Sequence, residues 1–324
     1  MEMEIKEEWF LPDNFIEKTD DDDVLLYADT DSAYLLYNLP FDKYDDIQQL
    51  IKYIQEIARE LGSIYNEALE YYLCNFAGLN PKYNTMDFKS EVVAYRGFFN
   101  TKKFYSLAKA WDEGTFYEGN PKLKTTGGQI KKSDVTPITK DLLNEVYSNI
   151  VMSQNSDLVS LYRILFVEIK NKYKLEITDS VKTMVFNRFA VPKKWGNTAK
   201  IVPAFVTGAK LYNTIMEDTF RPSDSFLVVK VIINVAKLLN YYKENEVVKD
   251  KFLLQDYEVL ALGSKINVIS IPPSMEEDQR NRLLDMFLEL DIKLDISDII
   301  HTNIDKKLEV FEKLFDDSVR RRAL

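Results

Sequence analysis

Between Tyr44 and Tyr72 the apolar positions recur at helical spacing. Ile47, Leu50, Ile51, Ile54, Ile57, Ala58, Leu61 and Ile64 share one side of a 3.6-residue repeat. The pattern predicts one long amphipathic helix laid on a sheet, ended by Leu79-Asn-Pro81. Before it, Val24 to Leu26 and Ala33 to Tyr37 read as short apolar strands around a polar tract, which predicts a hairpin over residues 24 to 37. After it, Phe88 to Tyr95 and Phe104 to Trp111 read as strands with a turn around Arg96 to Lys103. Asp112-Glu-Gly-Thr115 predicts another turn. Residues 1 to 23 are acidic and weakly periodic, which suits a short helix and a loop.

From Asp141 onward helical spacing dominates. Leu142 to Val151 and Leu158 to Tyr173 read as amphipathic helices, with Ser133 or Thr139 as the cap of the first. Residues 175 to 210 are mixed, but Ile201 to Tyr212 reads as a helix that Gly208 holds close to a neighbour. Phe226 to Val235 is β-branched and reads as a strand, with a buried helix as the alternative. Helices follow Pro272-Pro273 at Asn281 to Leu290 and Leu308 to Leu314. The fold class expected is α+β, with an antiparallel sheet and packed helices first and a mainly helical part second. The boundary between them is expected around 125 to 140.

Composition narrows the chemistry. The single cysteine, Cys74, excludes an intrachain disulfide and suits a reducing, cytoplasmic setting. The single histidine, His301, has no ligating neighbours in sequence, which argues against zinc. No run of eighteen apolar residues predicts a membrane span, and the acidic N-terminus does not resemble a signal peptide. The net charge of −10 opposes nucleic-acid binding in bulk, but the charge is uneven. Seven lysines face three acids between Lys102 and Lys132, and Phe189 to Lys210 holds four lysines and no acid. An acidic body with basic stripes suits a protein that grips a duplex along a limited track. Solvated surface lysines are the simpler alternative.

The tract Asp29-Thr-Asp-Ser32 is the chemical centre of the sequence. Asp29 and Asp31 are two apart, so both can aim at one point from a hairpin tip. Magnesium takes one or two carboxylates and completes its shell with water and phosphate oxygens. The alternative is an ordinary turn, since Asp, Thr and Ser are common turn formers.

Tyr27-Ala-Asp-Thr-Asp-Ser32 resembles the YGDTDS motif of B-family DNA polymerases, with Ala28 where glycine is common. Further on, Lys102-Lys103-Phe104-Tyr105 resembles the KKRY primer-contact motif, with Phe104 in place of arginine. Pro121 to Gly127, then Lys132-Ser-Asp134 and Thr136-Pro137, resemble the palm-to-thumb crossing of phage replicative members. Phe205 to Asn213 resembles a thumb segment of that group. The resemblance implies a partial palm at 1–130 and a thumb at 131–324. It implies Asp31 as the leading ligand of two magnesium ions, Asp29 as a second ligand or support, and Glu91 as a secondary ligand near the turn. Tyr27, Thr30 and Ser32 would support the motif. Lys102, Lys103 and Tyr105 would touch the primer backbone, and the loss of arginine at Phe104 removes one charged contact there. Lys122, Lys124, Lys131 and Lys132 would hold the duplex, with Lys193, Lys194 and Lys210 behind them. Leu308 to Phe315 resembles the tail by which phage polymerases hold a sliding clamp, and an amphipathic helix packed on its own unit is the alternative.

Two family motifs do not occur in these residues: the strand-borne DxxSLYPS, which supplies another carboxylate, and the fingers KxxxNSxYG, which binds dNTP. Nor is there an exonuclease segment. The resemblance therefore implies the C-terminal piece of a split polymerase, inactive alone. Its partner would be an N-terminal fragment with exonuclease, fingers and the rest of the palm, and the ions would be shared with it. Primer-template DNA and dNTP would be the substrates. A non-catalytic DNA-binding or scaffolding subunit is the alternative.

Overall fold

The computed structural model describes residues 25–28, 32–35, 46–101, 104–117, 119–127, 130, 132–152, 157–196, 203–218, 220–245, 251–262, 267–313, 315 and 319–321. The fold is α+β with antiparallel sheets. The chain forms two compact units, Met1–Gly128 and Gln129–Leu324.

In the first unit, β1 (Leu25–Ala28) and β2 (Ala33–Leu35) form the expected hairpin, in register Tyr27↔Tyr34 and Ala28↔Ala33. The expected long helix is α1 (Ile47–Asn75). Asp46 caps it, accepting from Gln49 N–H at 2.8 Å. Its stripe buries Leu50, Ile51, Ile57 and Leu61. Gly62 is needed where the helix meets the loop before the sheet, since a Cβ there would lie 2.6 Å from the Phe88 carbonyl oxygen. Gly62→Ala is therefore expected to lower stability by about 1–3 kcal/mol through forced backbone displacement. Alanine's better helix propensity, about 1 kcal/mol, offsets only part of this. Chemical denaturation of the variant checks it.

β3 (Val92–Thr101) and β4 (Phe104–Asp112) pair antiparallel. β3 continues past the turn expected at Arg96. The pairs Phe98↔Ser106 and Phe99↔Tyr105 extend the ladder to Thr101↔Phe104, leaving only positions 102 and 103 between the strands. The sheet is completed by β5 (Thr115–Phe116) and β6 (Lys122–Thr126), which both pair with β4. β4 is therefore central, and Tyr105 to Ala110 are buried without interruption. Ile51 of α1 meets Val93 and Ala110 of the sheet in the core, with Ile54, Trp111 and Phe116 around them.

The second unit opens with α2 (Pro137–Met152). Its cap is Thr136 rather than Ser133 or Thr139. Thr136 Oγ1 accepts from Thr139 N–H at 3.3 Å, and Pro137 begins the helix where no amide partner is needed. α3 (Leu158–Arg163), a π-helical turn at Ile164–Ile169 and α4 (Lys170–Lys182) run on beyond the expected end at Tyr173. α5 (Phe186–Phe189), β7 (Val191–Lys194) and α6 (Ala204–Met216) follow. Next come β8 (Ser225–Ile232), α7 (Val235–Glu244), α8 (Asp256–Ala261) and β9 (Val268–Ile271). The chain continues through α9 (Glu277–Glu289), β10 (Lys293–Leu294), α10 (Ile296–Ile300), a second π-helical turn at His301–Asp305 and α11 (Lys306–Glu312).

This unit carries more sheet than expected. β8, the predicted strand, is the centre of four antiparallel strands and pairs with β7, β9 and β10. α6 lies on β9, and Gly208 makes the contact: a Cβ would meet the Val268 carbonyl oxygen at 3.0 Å. This is the close approach that the glycine predicted. No described helix is long and apolar enough to cross a membrane.

Candidate metal and nucleic-acid site

The β1–β2 register leaves residues 29 to 32 as the hairpin tip. Asp29, Thr30 and Asp31 lie outside the described residues, as do Lys102, Lys103 and Lys131. Their neighbours fix what surrounds them. Tyr27 sits on β1 opposite Tyr34, and Ser32 is half-buried. Tyr34 donates its hydroxyl hydrogen to Tyr105 Oη at 2.7 Å. Its ring lies 4.9 Å from that of Tyr105 and 5.5 Å from that of Phe99. Tyr34 is two residues past Ser32, and Tyr105 is two past Lys103. The tyrosine pair thus ties the strand leaving the carboxylate tip to the strands flanking the lysine turn.

Tyr105, expected at the primer backbone, is 8% exposed and accepts a hydrogen bond from Tyr34. Glu91 lines the same cleft as Ala28 and Ser32. It is exposed at the other end of β3, where its carbonyl accepts from Glu113 N–H at 2.9 Å.

A cleft of about 790 Å³ runs between the hairpin, α1 and β3, lined by Ala28, Ser32 and Tyr34 on one side and Ile54, Leu61 and Val93 on others. Its walls are largely apolar side chains of strand and helix. Among the described residues no group of three or more carboxylate, histidine or cysteine side chains could hold a metal ion. Asp29 and Asp31 are not among those residues. A pair of carboxylates with open positions fits one magnesium ion completed by phosphate and water. It does not fit a closed cage for two.

The described lysines differ in what holds them. Lys122 and Lys124 lie on β6; Lys122 is exposed, with its ammonium 5.7 Å from the Tyr117 ring centroid. Lys109, opposite Lys122 in the ladder, is nearly buried and paired with Asp112. In the second unit Lys132 and Lys194 are exposed. Lys193 Nζ donates to Asp134 Oδ2 at 3.2 Å, which holds the Asp134 carboxyl below its ordinary range. Lys210, expected to reach a duplex, is instead enclosed. Its ammonium donates to both oxygens of buried Glu258, at 2.8 and 3.0 Å. α6 packs on β9 and is buried from Val206 to Met216, so the lysine points into the unit.

The stretch expected to reach a sliding clamp packs inward as well. Leu308, Phe311 and Phe315 are buried. Phe311 meets Tyr147 at 5.3 Å, and Phe315 meets Tyr162 at 5.3 Å, so the apolar face is already occupied.

No protein-family model and no curated protein matches the chain.

Proposed function

We propose that the chain is the C-terminal part of a B-family DNA polymerase, a partial palm followed by a thumb. It would transfer nucleotides from dNTP to a primer 3′-hydroxyl together with an N-terminal polymerase piece. The observation that carries this reading is the Tyr34–Tyr105 hydrogen bond. It links the strand leaving the DTDS tip to the strand leaving the Lys102-Lys103 turn. A polymerase needs its metal ligands beside the groups that hold the primer terminus.

In this reading Asp29 and Asp31 hold magnesium against the dNTP phosphates. Lys102 and Lys103 bind backbone phosphates of the primer, which positions its 3′ end without reading sequence. Lys122 and Lys124 extend the grip along the duplex. Bound magnesium supplies charge stabilisation at the reacting phosphoryl group. Two-metal transfer needs more carboxylate than the tip offers, and in this reading the N-terminal piece supplies the remaining ligand. The apolar cleft beside the hairpin supports a partner here, since cleft walls of this kind are normally covered by another element of the sheet.

Primer extension tests the reading. With Mg²⁺ and dNTP, the chain alone is expected to be inactive and the mixture with the N-terminal piece from the same source active. An inactive mixture that still binds duplex would favour the non-catalytic DNA-binding subunit.

A further inference from the structure

The first unit holds a second cleft, of about 520 Å³, on another flank of α1. None of the hairpin residues that line the larger cleft lines this one. One wall is a polar row on α1: Gln55, Arg59, Ser63 and Asn66 recur at helical spacing beside the apolar stripe. The other wall is the loop at 87–90, with Trp111 of β4. Asn66 clamps this loop to the helix. Its Oδ1 accepts from Phe88 N–H at 2.6 Å, and its Nδ2 donates to Asp87 Oδ1 at 2.9 Å and to the Phe88 carbonyl at 3.2 Å. Gly62 admits the approach, since a Cβ there would crowd the same carbonyl. The opening between helix and loop is therefore set before anything enters it.

The other polar side chains of the cleft are idle. Among the described residues, Gln55, Arg59, Ser63, Lys89, Ser90 and the Trp111 indole N–H make no hydrogen bond and no ion pair. Two of these groups are cations, while the single carboxylate lining the cleft, Asp87, is held by Asn66. The cleft is thus positive in a chain of net charge −10, and none of the acids of α1 lines it.

We propose that this cleft binds a nucleoside monophosphate, a ligand with one charged end and one flat end. The planar fork of Arg59 matches two phosphate oxygens, and Lys89 adds a point charge. The hydroxyls of Ser63 and Ser90 can donate to the remaining oxygens. Trp111 and Phe88 offer aromatic surface to a base. Gln55 both donates and accepts, as the edge of a base requires. The volume agrees, since small-molecule clefts span roughly 300–1,000 Å³. A bare phosphate would leave most of this one to water. The site is separate from the DTDS tip and does not depend on the polymerase reading.

The test is calorimetric titration of the full chain with a panel of nucleoside 5′-monophosphates, in EDTA so that no metal-dependent dNTP site contributes. At least one monophosphate is expected to bind saturably. Arg59→Ala/Lys89→Ala should weaken it roughly 100-fold, since each substitution removes a charge-assisted hydrogen bond. Both side chains are exposed, so the fold should be unaffected. Arg59→Lys/Lys89→Arg should stay within roughly tenfold of the wild type, which separates lost charge from lost shape. Lys52→Ala/Lys82→Ala, exposed on the same unit but outside the cleft, should change nothing. Inorganic phosphate and the free nucleoside should each bind far more weakly than the monophosphate. The inference is overturned if no monophosphate binds, or if the alanine double variant binds as the wild type does. Inorganic phosphate binding as tightly as the best monophosphate also overturns it, because the base would then contribute nothing.

Discussion

Asp31→Ala is expected to reduce primer extension by the reconstituted mixture roughly 10³-fold while leaving duplex affinity unchanged. Losing a metal-holding carboxylate forfeits several kcal/mol of charge stabilisation in the transition state, which is a factor of about 10³ in rate. Affinity for duplex rests on lysines elsewhere and should not move. Asp29→Ala should cost less, about tenfold, because its position in the tract is that of a support to Asp31. The pair of outcomes matters more than either alone. If both variants extend primers at the wild-type rate, the tip is an ordinary turn and the polymerase reading falls. Single-turnover extension beside a binding isotherm makes the measurement.

Glu258→Ala is expected to destabilise the second unit by about 3–5 kcal/mol, because it strands the buried Lys210 ammonium without a counter-charge. For a unit of this size that corresponds to a fall in Tm of roughly 10 °C. Lys210→Met/Glu258→Leu removes both charges together and should be far closer to neutral. Met and Leu keep most of the volume of the pair, so the double change reports the charges rather than the packing. Glu258 also accepts from Gln255 N–H at 3.0 Å, so the single variant loses a helix cap as well. Thermal melts of the three chains decide it.

Much of the first unit was legible because its elements carry strong local periodicity. The stripe from Ile47 to Ile64 could only be a helix, and the polar tract between two apolar runs could only be a turn. Gly208 was read correctly for a different reason, as a small residue in an apolar helix has few uses besides close approach. The short strands β7 and β9 escaped. β7 reads Val-Pro-Lys-Lys with little apolar signal, β9 is too short to show a period, and the pairing of both with β8 is set by tertiary contact. The site was legible in residue type and much less in exposure. Lys210 lies in a stretch with no acid nearby in sequence, and its partner is 48 residues away. The end of β3 was missed because the aromatic ladder beyond Arg96 carries the strand on to Thr101.

The hydrogen bonds that Thr136 and Thr139 donate to Asn303, in the π-helical turn before α11, govern when the second unit can finish folding. Thr136 and Asn303 stand 167 residues apart, so the bond closes a very long loop. At ribosomal speed, roughly ten to thirty seconds separate the emergence of these two residues. Throughout that interval Ile138, Leu142 and Val146, all fully buried at the end, have no permanent cover from α11 and the turn before it. Such a wait is long against the microseconds in which helices form. Until then the nascent α2 carries an incompletely covered apolar face, the kind of surface that chaperones bind.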